Sequence, residues 1–349
     1  MGNELKLRLL SQKDLFDAGC FDLKMCVEVT ENAMKKYCDG LIKYPEKVSQ
    51  IFDEATQDRI NCLPATLMDE KICGMKWVSV FPGNPVKFGC NNVSAVILLS
   101  EIEKGFPIAF MEGTMCSNLR TASVSAVAAK YLAPSNVEKI GFIGSGEQAK
   151  THFMAMKSVF PSIKECRVSS NSIDSQESFK SDLERFYSDV NIVMCGADYE
   201  SAVLDADIII TANSGQEPIL KANWIRKGCL YCHVGGWEDE FAVALKADKI
   251  VCDHWESAKH RTQTISRMFK QNLLSDNDIY SDLDKIVSGE RTGRTSDDEF
   301  IYFNAVGLSY VDVALSYHMY TMAVNKGTGT DWTFQNEKFL GYPNSFYRL

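Results

Sequence analysis

The stretch "EKIGFIGSGEQA", residues 138–149, constrains this chain more than any other. A short apolar run leads into Gly144-x-Gly146-x-x-Ala149 and then into a helical pattern, "EQAKTHFMAMKSVF". Three small residues at that spacing are a weak signal alone and a strong one between a buried strand and a helix. Gly144 permits the tight turn, and Gly146 lets backbone approach a pyrophosphate. Ala149 lets the helix pack close to its strand, and the free N–H groups of the helix start face the phosphates. Ser145, Glu147 and Gln148 complete the expected cradle. The alternative is a bare structural turn.

The residues that follow keep the context. "ECRVSSN", "NIVMCG", "DIIITAN", "GCLYCHVGG" and "DKIVCDH" read as buried strands, with helical patterns at "SQESFKSDLERFYSD" and "YESAVLDA" between them. Strands alternating with helices over short links predict an α/β, doubly wound parallel sheet of the Rossmann type. An acid at the end of the second strand would hold the ribose 2′-hydroxyl of NAD. Here Ser169, Ser170, Asn171 and Ser172 stand there instead. Hydroxyls and an amide do not repel a 2′-phosphate, so the cofactor is NAD(H) or NADP(H) with a slight lean to NADP(H). Ser170 and Asn171 are expected beside the adenosine ribose, and Thr211, Ala212 and Asn213 on the nicotinamide side.

Outside this region the pattern is mixed. Residues 11–43 open on "SQKDL" and read as a capped helix or two. The runs 59–63, 72–80 and 93–99, set off by "FPGNP" and "EKGFP", read as antiparallel strands. Residues 114–133 are small-residue-rich and helical in period, ending at Pro134. After residue 300 a strand-like start leads into a long helix stopped by Gly327.

The 349 residues are comfortable for two domains. A net charge of −9 with no Lys/Arg cluster argues against nucleic acid and an anionic membrane surface. No apolar run approaches the roughly 18 residues of a membrane span. Most of the twelve cysteines sit in apolar runs, and the polar start lacks a signal-peptide core, so a reducing compartment, the cytoplasm, is expected. The CxxC of Cys229 and Cys232 reads as structural, and no metal site is expected.

Two cations stand in apolar company: Lys76 in "MKWVS" and Arg120 in "SNLRTAS". Such cations need an anionic partner or a water path. Together they suit one carboxylate, with Arg able to bind it in bidentate fashion; the alternative is two internal salt bridges.

At these residues the chain resembles the ornithine cyclodeaminase/mu-crystallin family. "GMKWVSVFPGNPVKF", "GFPIAFMEGTMCSNLRTASVSAVAAKYLA", "IGFIGSGEQA" and "GRTSDDEFIYFNAVGLSYVDVALSY" carry the likeness, which covers about 45–330. The resemblance implies a Rossmann domain, 128–303, inserted into an α+β substrate-binding and dimerisation domain, 1–127 plus 304–349, and a homodimer. It implies that Lys76 and Arg120 hold a substrate carboxylate. Lys47 would join them, where the cyclodeaminases have Arg, and Ser94 would supply a nearby hydroxyl. The family's catalytic acid falls in "VGGWEDEF", at Glu238 or the neighbouring Asp239; a solvated acidic turn is the competing reading. Lys76, Glu238 and Asp239 are the catalytic candidates. The motifs look nearest the branch that oxidises N-(2-amino-2-carboxyethyl)-glutamate, which implies an NAD(P)-dependent amino acid dehydrogenase or imine reductase. A cyclodeaminase that recycles its NAD and a non-catalytic NADP-binding protein are the alternatives.

Overall fold

The computed structural model describes residues 4–213 and 215–335 and divides into two units. The first comprises Met1–Asp22, Leu41–Ser117 and Ser309–Leu349, and the second Leu23–Gly40 and Asn118–Leu308.

In the second unit every strand pair is parallel. The order across the sheet is Asn191–Met194, Glu165–Ser169, Lys139–Ile143, Ile208–Thr211, Leu230–His233, Ile301–Asn304, Lys249–Cys252 and Ser281–Asp282. From Lys139–Ile143 the chain first builds outward on one side and then returns to build on the other. The crevice between Lys139–Ile143 and Ile208–Thr211 is therefore the switch point at which such sheets bind ligands. Strands buried on both faces read as unbroken apolar runs, and Ile208, Ile209 and Ile210 are all fully buried. The Rossmann sheet expected from the alternation is present.

In the first unit the alternation of Ile72–Val80 buries Ile72, Gly74, Lys76 and Val78 and leaves Trp77 exposed. Its sheet runs Thr330–Gln335, Leu5–Leu10, Pro107–Glu112, Val93–Glu101, Ile72–Val80, Asp58–Leu67 and Ile42–Lys43, with Val48–Asp53 also paired to Asp58–Leu67. All pairs are antiparallel except Leu5–Leu10 with Pro107–Glu112. Helix Ser309–Lys326 covers the buried face. It buries Tyr310, Val311, Val313, Leu315 and Met319, and a Cβ on Gly74 would stand 3.2 Å from Val313.

Several boundaries differ from expectation. Ile301–Asn304 lies inside the Rossmann sheet, so that unit extends to Leu308, beyond the expected 303. Helix Thr114–Leu132 crosses from one unit to the other at Ser117/Asn118, ten residues before the expected 127. Helix Leu23–Cys38 belongs with the Rossmann unit: Glu31, on that helix, accepts from Tyr131 OH at 2.6 Å and from Lys130. "FPGNP" is part of a short helix, Asn84–Phe88, with Pro in its first turn, where the missing N–H costs nothing.

Candidate active site

The glycine loop closes the strand Lys139–Ile143 as the motif requires. Gly144 has φ +109°, and a Cβ there would collide with the Ala212 carbonyl. Gly146 caps the thirteen-residue helix Glu147–Val159, and its Cβ would meet nothing within 4 Å. The chain thus leaves open the position in front of the helix N-terminus that a pyrophosphate would occupy. Ala149 is fully buried against the sheet. Asn213 adds a second fit: its N–H donates to Glu238 Oε1 at 2.7 Å, while its buried Nδ2 has no partner among the described residues. A dinucleotide suits these residues.

Beside the loop, Ser145 Oγ lies 2.8 Å from Ser170 Oγ and donates to Ser175 Oγ at 2.7 Å. Asn171 Oδ1 accepts from Tyr199 OH at 2.5 Å. The end of the second strand therefore carries hydroxyls and an amide. Gln148 Nε2 donates to Asn118 Oδ1 at 2.6 Å, and Glu147 is exposed and paired with Lys150. Thr211 departs from expectation: it is fully buried and gives its hydroxyl to Glu238, so it supports the crevice from within.

Glu238 and Asp239 are both fully buried, which excludes the solvated acidic turn. Glu238 Oε1 accepts from Asn213 N–H, and Oε2 accepts from Thr211 Oγ1 at 2.7 Å and Gly235 N–H at 2.8 Å. Burial raises its pKa; His233 and these donors oppose the shift without cancelling it. Asp239 Oδ1 accepts from Thr264 Oγ1 at 2.6 Å, from Tyr302 OH at 3.2 Å and from Tyr231 OH at 3.3 Å, with His233 Nδ1 at 2.8 Å. His233 Nε2 donates to the Gly236 carbonyl at 2.6 Å. Burial alone would lower the imidazole's pKa, but the two carboxylates and that carbonyl hold it above its ordinary value. The acids after the fifth strand are thus one end of a buried polar network that holds Thr211, Asn213 and the loop 234–239.

In the first unit, Lys76 is 1% exposed, donates to Asp312 Oδ1 at 2.5 Å and to Ser117 Oγ at 3.2 Å. Asp312 is equally buried, so the ammonium carries its counter-charge with it. Lys47 is half-buried in the same unit, just before Val48–Asp53. Ser94 is not on the Lys76 face. Lys76 pairs with Ile97 and Val78 with Ala95, and both partners are buried, so the alternation turns Ser94 to the opposite side. The hydroxyl beside Lys76 is that of Ser117 instead. Arg120 lies in the second unit, against the turn at Gly307.

The chain matches the ornithine cyclodeaminase/mu-crystallin family over residues 18–327. It belongs to that family. Among relatives of this family member, the N-((2S)-2-amino-2-carboxyethyl)-L-glutamate dehydrogenase of Staphylococcus aureus is 28% identical over 325 residues, 92% of this chain and 96% of that one. The Thermococcus litoralis Δ1-pyrroline-2-carboxylate reductase, solved in complex with NADH and L-proline, has a TM-score of 0.87 at 30% identity, covering 93% of this chain and 99% of that chain. An archaeal alanine dehydrogenase dimer with bound NAD has a TM-score of 0.85 at 29% identity, covering 95% of this chain and 100% of that chain. These cyclodeaminase-family relatives are dehydrogenases and reductases of amino acids and their imines.

Some residues of this family member were not singled out from its sequence. Asp312 and Ser117, the partners of Lys76, had a readable signal: a lone acid inside the apolar helix "LSYVDVALSY" demands a cation. His233, Tyr231, Tyr302 and Thr264 had none, since each is a single polar residue in an apolar strand or a helix start. None of the twelve cysteines is in a disulfide. Burial pushes Cys229 up to about 12 and raises Cys232 as well, so the CxxC pair is packing.

Proposed function

We propose that this protein is an NAD(P)-dependent oxidoreductase acting at the α-carbon of an amino acid or N-substituted amino acid, as an amino acid dehydrogenase or imine reductase. The observation that carries the reading is the glycine loop at the switch point, with Gly144 at φ +109° and open space before Gly146. A nicotinamide bound there supplies or accepts the hydride. The absence of an acid at Ser170 and Asn171 leaves room for a 2′-phosphate and favours NADP(H), although relatives have been solved with NADH and NAD.

Lys76, Arg120 and Lys47 are assigned to the substrate carboxylate. The buried Asp312 orients the Lys76 ammonium by direct hydrogen bonding. Ser117, which accepts from Lys76, and Arg120 are three residues apart on one helix and so share a face. Proton transfer near the α-nitrogen is assigned to Glu238 or Asp239. Burial raises the Glu238 carboxyl above its ordinary pKa, and a carboxyl so placed suits acid–base work. The protein is further proposed to be a homodimer, as the archaeal relative is. The strand face opposite Lys76, with exposed Trp77 and Phe110, supplies an apolar surface for it.

The test is a panel of amino acids, and of 2-oxo acids with amines, followed by nicotinamide absorbance with both cofactors. Stoichiometric NAD(P)H formation from an amino acid, or its consumption by an imine, supports the reading. Ammonia release from ornithine without net redox change would establish a cyclodeaminase instead.

A further inference from the structure

The turn after Ile301–Asn304 has its backbone polar groups claimed one by one. The Asn304 carbonyl accepts from Asp253 N–H at 3.0 Å, and Ala305 N–H donates to the His233 carbonyl at 2.9 Å. The Ala305 carbonyl accepts from Gln263 Nε2 at 2.9 Å. Val306 and Gly307 N–H both donate to Asp253 Oδ2, at 2.8 and 2.7 Å. Asp253 Oδ1 takes the His254 N–H at 2.9 Å, so a carboxylate 1% exposed receives three backbone donors. Gln263, also buried, works from the other side. Its Nε2 donates to the Gly235 carbonyl at 2.9 Å as well, and its Oε1 accepts from Asn304 Nδ2 at 2.9 Å.

Burying a carboxylate and a carboxamide is expensive unless their hydrogen bonds are made, and here most of those bonds go to this one turn. What the turn presents is Gly307. Its φ is +97°, and a Cβ there would stand 2.7 Å from Arg120 Nη1 and 3.2 Å from Nη2. The guanidinium thus fills the space that a side chain at 307 would need, and the turn stands directly beside it.

We infer that Asp253 and Gln263 are positioning residues for Arg120: they lock the 304–307 turn so that Gly307 fixes the guanidinium plane for two-point binding of the substrate carboxylate. The inference rests on the proposed role of Arg120 as carboxylate anchor. Two parallel N–H···O bonds require the planes of both groups to coincide, and a small misplacement of an anchored substrate is felt strongly in turnover. The bond from Gln263 to Gly235 ties the same turn to the loop that precedes Glu238.

Three variants separate the parts. Asp253→Asn and Gln263→Leu loosen the turn from its two sides. Gly307→Ala leaves both side chains in place and pushes the guanidinium directly. Amide hydrogen exchange at Val306 and Gly307 should quicken in Asp253→Asn while the strands Ile208–Thr211 and Leu230–His233 stay protected. Labelling of Arg120 by phenylglyoxal, read by peptide mapping, should change by at least about fivefold in all three variants, and this readout does not depend on turnover. With L-proline or L-alanine, whichever the protein oxidises faster, KM should rise at least about tenfold, kcat should fall less, and NADPH or NADH affinity should stay within about twofold. Faster exchange at 306–307 with unchanged Arg120 labelling and unchanged KM overturns the inference, as does unchanged exchange in Asp253→Asn. Failure of the broader reading looks different: Arg120→Ala would leave KM unaltered while the labelling shift in the other variants persists.

Discussion

Asp253 offers a measurement whose sign runs against intuition. Its three backbone hydrogen bonds favour the carboxylate, yet burial outweighs them and lifts its pKa from 3.8 to about 6, with the neighbouring His254 also opposing the rise. A carboxyl whose pKa is raised on folding contributes stability that is fully present below its unfolded value and is lost as pH rises through its folded value. The window is therefore 3.8 to about 6. The difference of about 2 units, at about 1.36 kcal/mol each, makes the whole linkage about 3 kcal/mol. Asp253→Asn cannot titrate, and most other groups titrate alike in both proteins, so the difference in unfolding free energy isolates this side chain. Urea unfolding of both proteins between about pH 4 and pH 8 should show the wild type losing about 2 kcal/mol relative to the variant. A gap that is flat across that range, or one in which the wild type gains with pH, would refute the reasoning. It would mean that the backbone donors, not burial, govern this carboxylate.

Gly146→Val should fold normally, because its side chain enters open space, yet weaken NADPH binding at least about tenfold in a fluorescence titration; unchanged affinity would displace the cofactor site. Ser170→Asp should shift the ratio of kcat/KM for the two cofactors toward NAD by repelling a 2′-phosphate, and a ratio that does not move would remove Ser170 from the ribose pocket. Asp312→Asn breaks a fully buried ion pair and should cost about 3–5 kcal/mol in urea unfolding. A loss under about 1 kcal/mol would show that Lys76 is not held by that pair.

The parts of the fold that were legible follow local rules. A strand, a glycine loop and a helix in one short segment can be recognised without knowing what surrounds them, and so can the capping box at Ser11 and Asp14. Lys76 and Arg120 stood out because a cation in apolar company must be compensated. What was not legible depends on pairing between distant segments. Ser94 is an acceptable hydroxyl by alignment, and only the register of Val93–Glu101 against Ile72–Val80 shows that it faces away from Lys76. In "WEDEF" a solvated acidic turn competes with a site acid at 238 or 239, and the sequence does not decide; their burial follows from donors supplied by Thr211, Asn213, Gly235 and Thr264, scattered over more than fifty residues. Leu5–Leu10 and Thr330–Gln335 are short and carry charges, and become strands by pairing with each other.

The place of Ile301–Asn304 between Leu230–His233 and Lys249–Cys252 has a consequence for how the chain is made. Both neighbours leave the ribosome some fifty to seventy residues earlier, each with one edge of backbone N–H and C=O groups unmatched. The same holds at larger scale for Leu5–Leu10, one of whose edges waits for Thr330–Gln335 at the far end of the described chain. Neither sheet can be completed by its early segments alone, and pairing at such separation is slow. During synthesis these open edges invite pairing with other nascent chains. A truncation just before residue 301 would therefore be expected to yield a chain that aggregates, with its glycine loop already built and its sheet still divided.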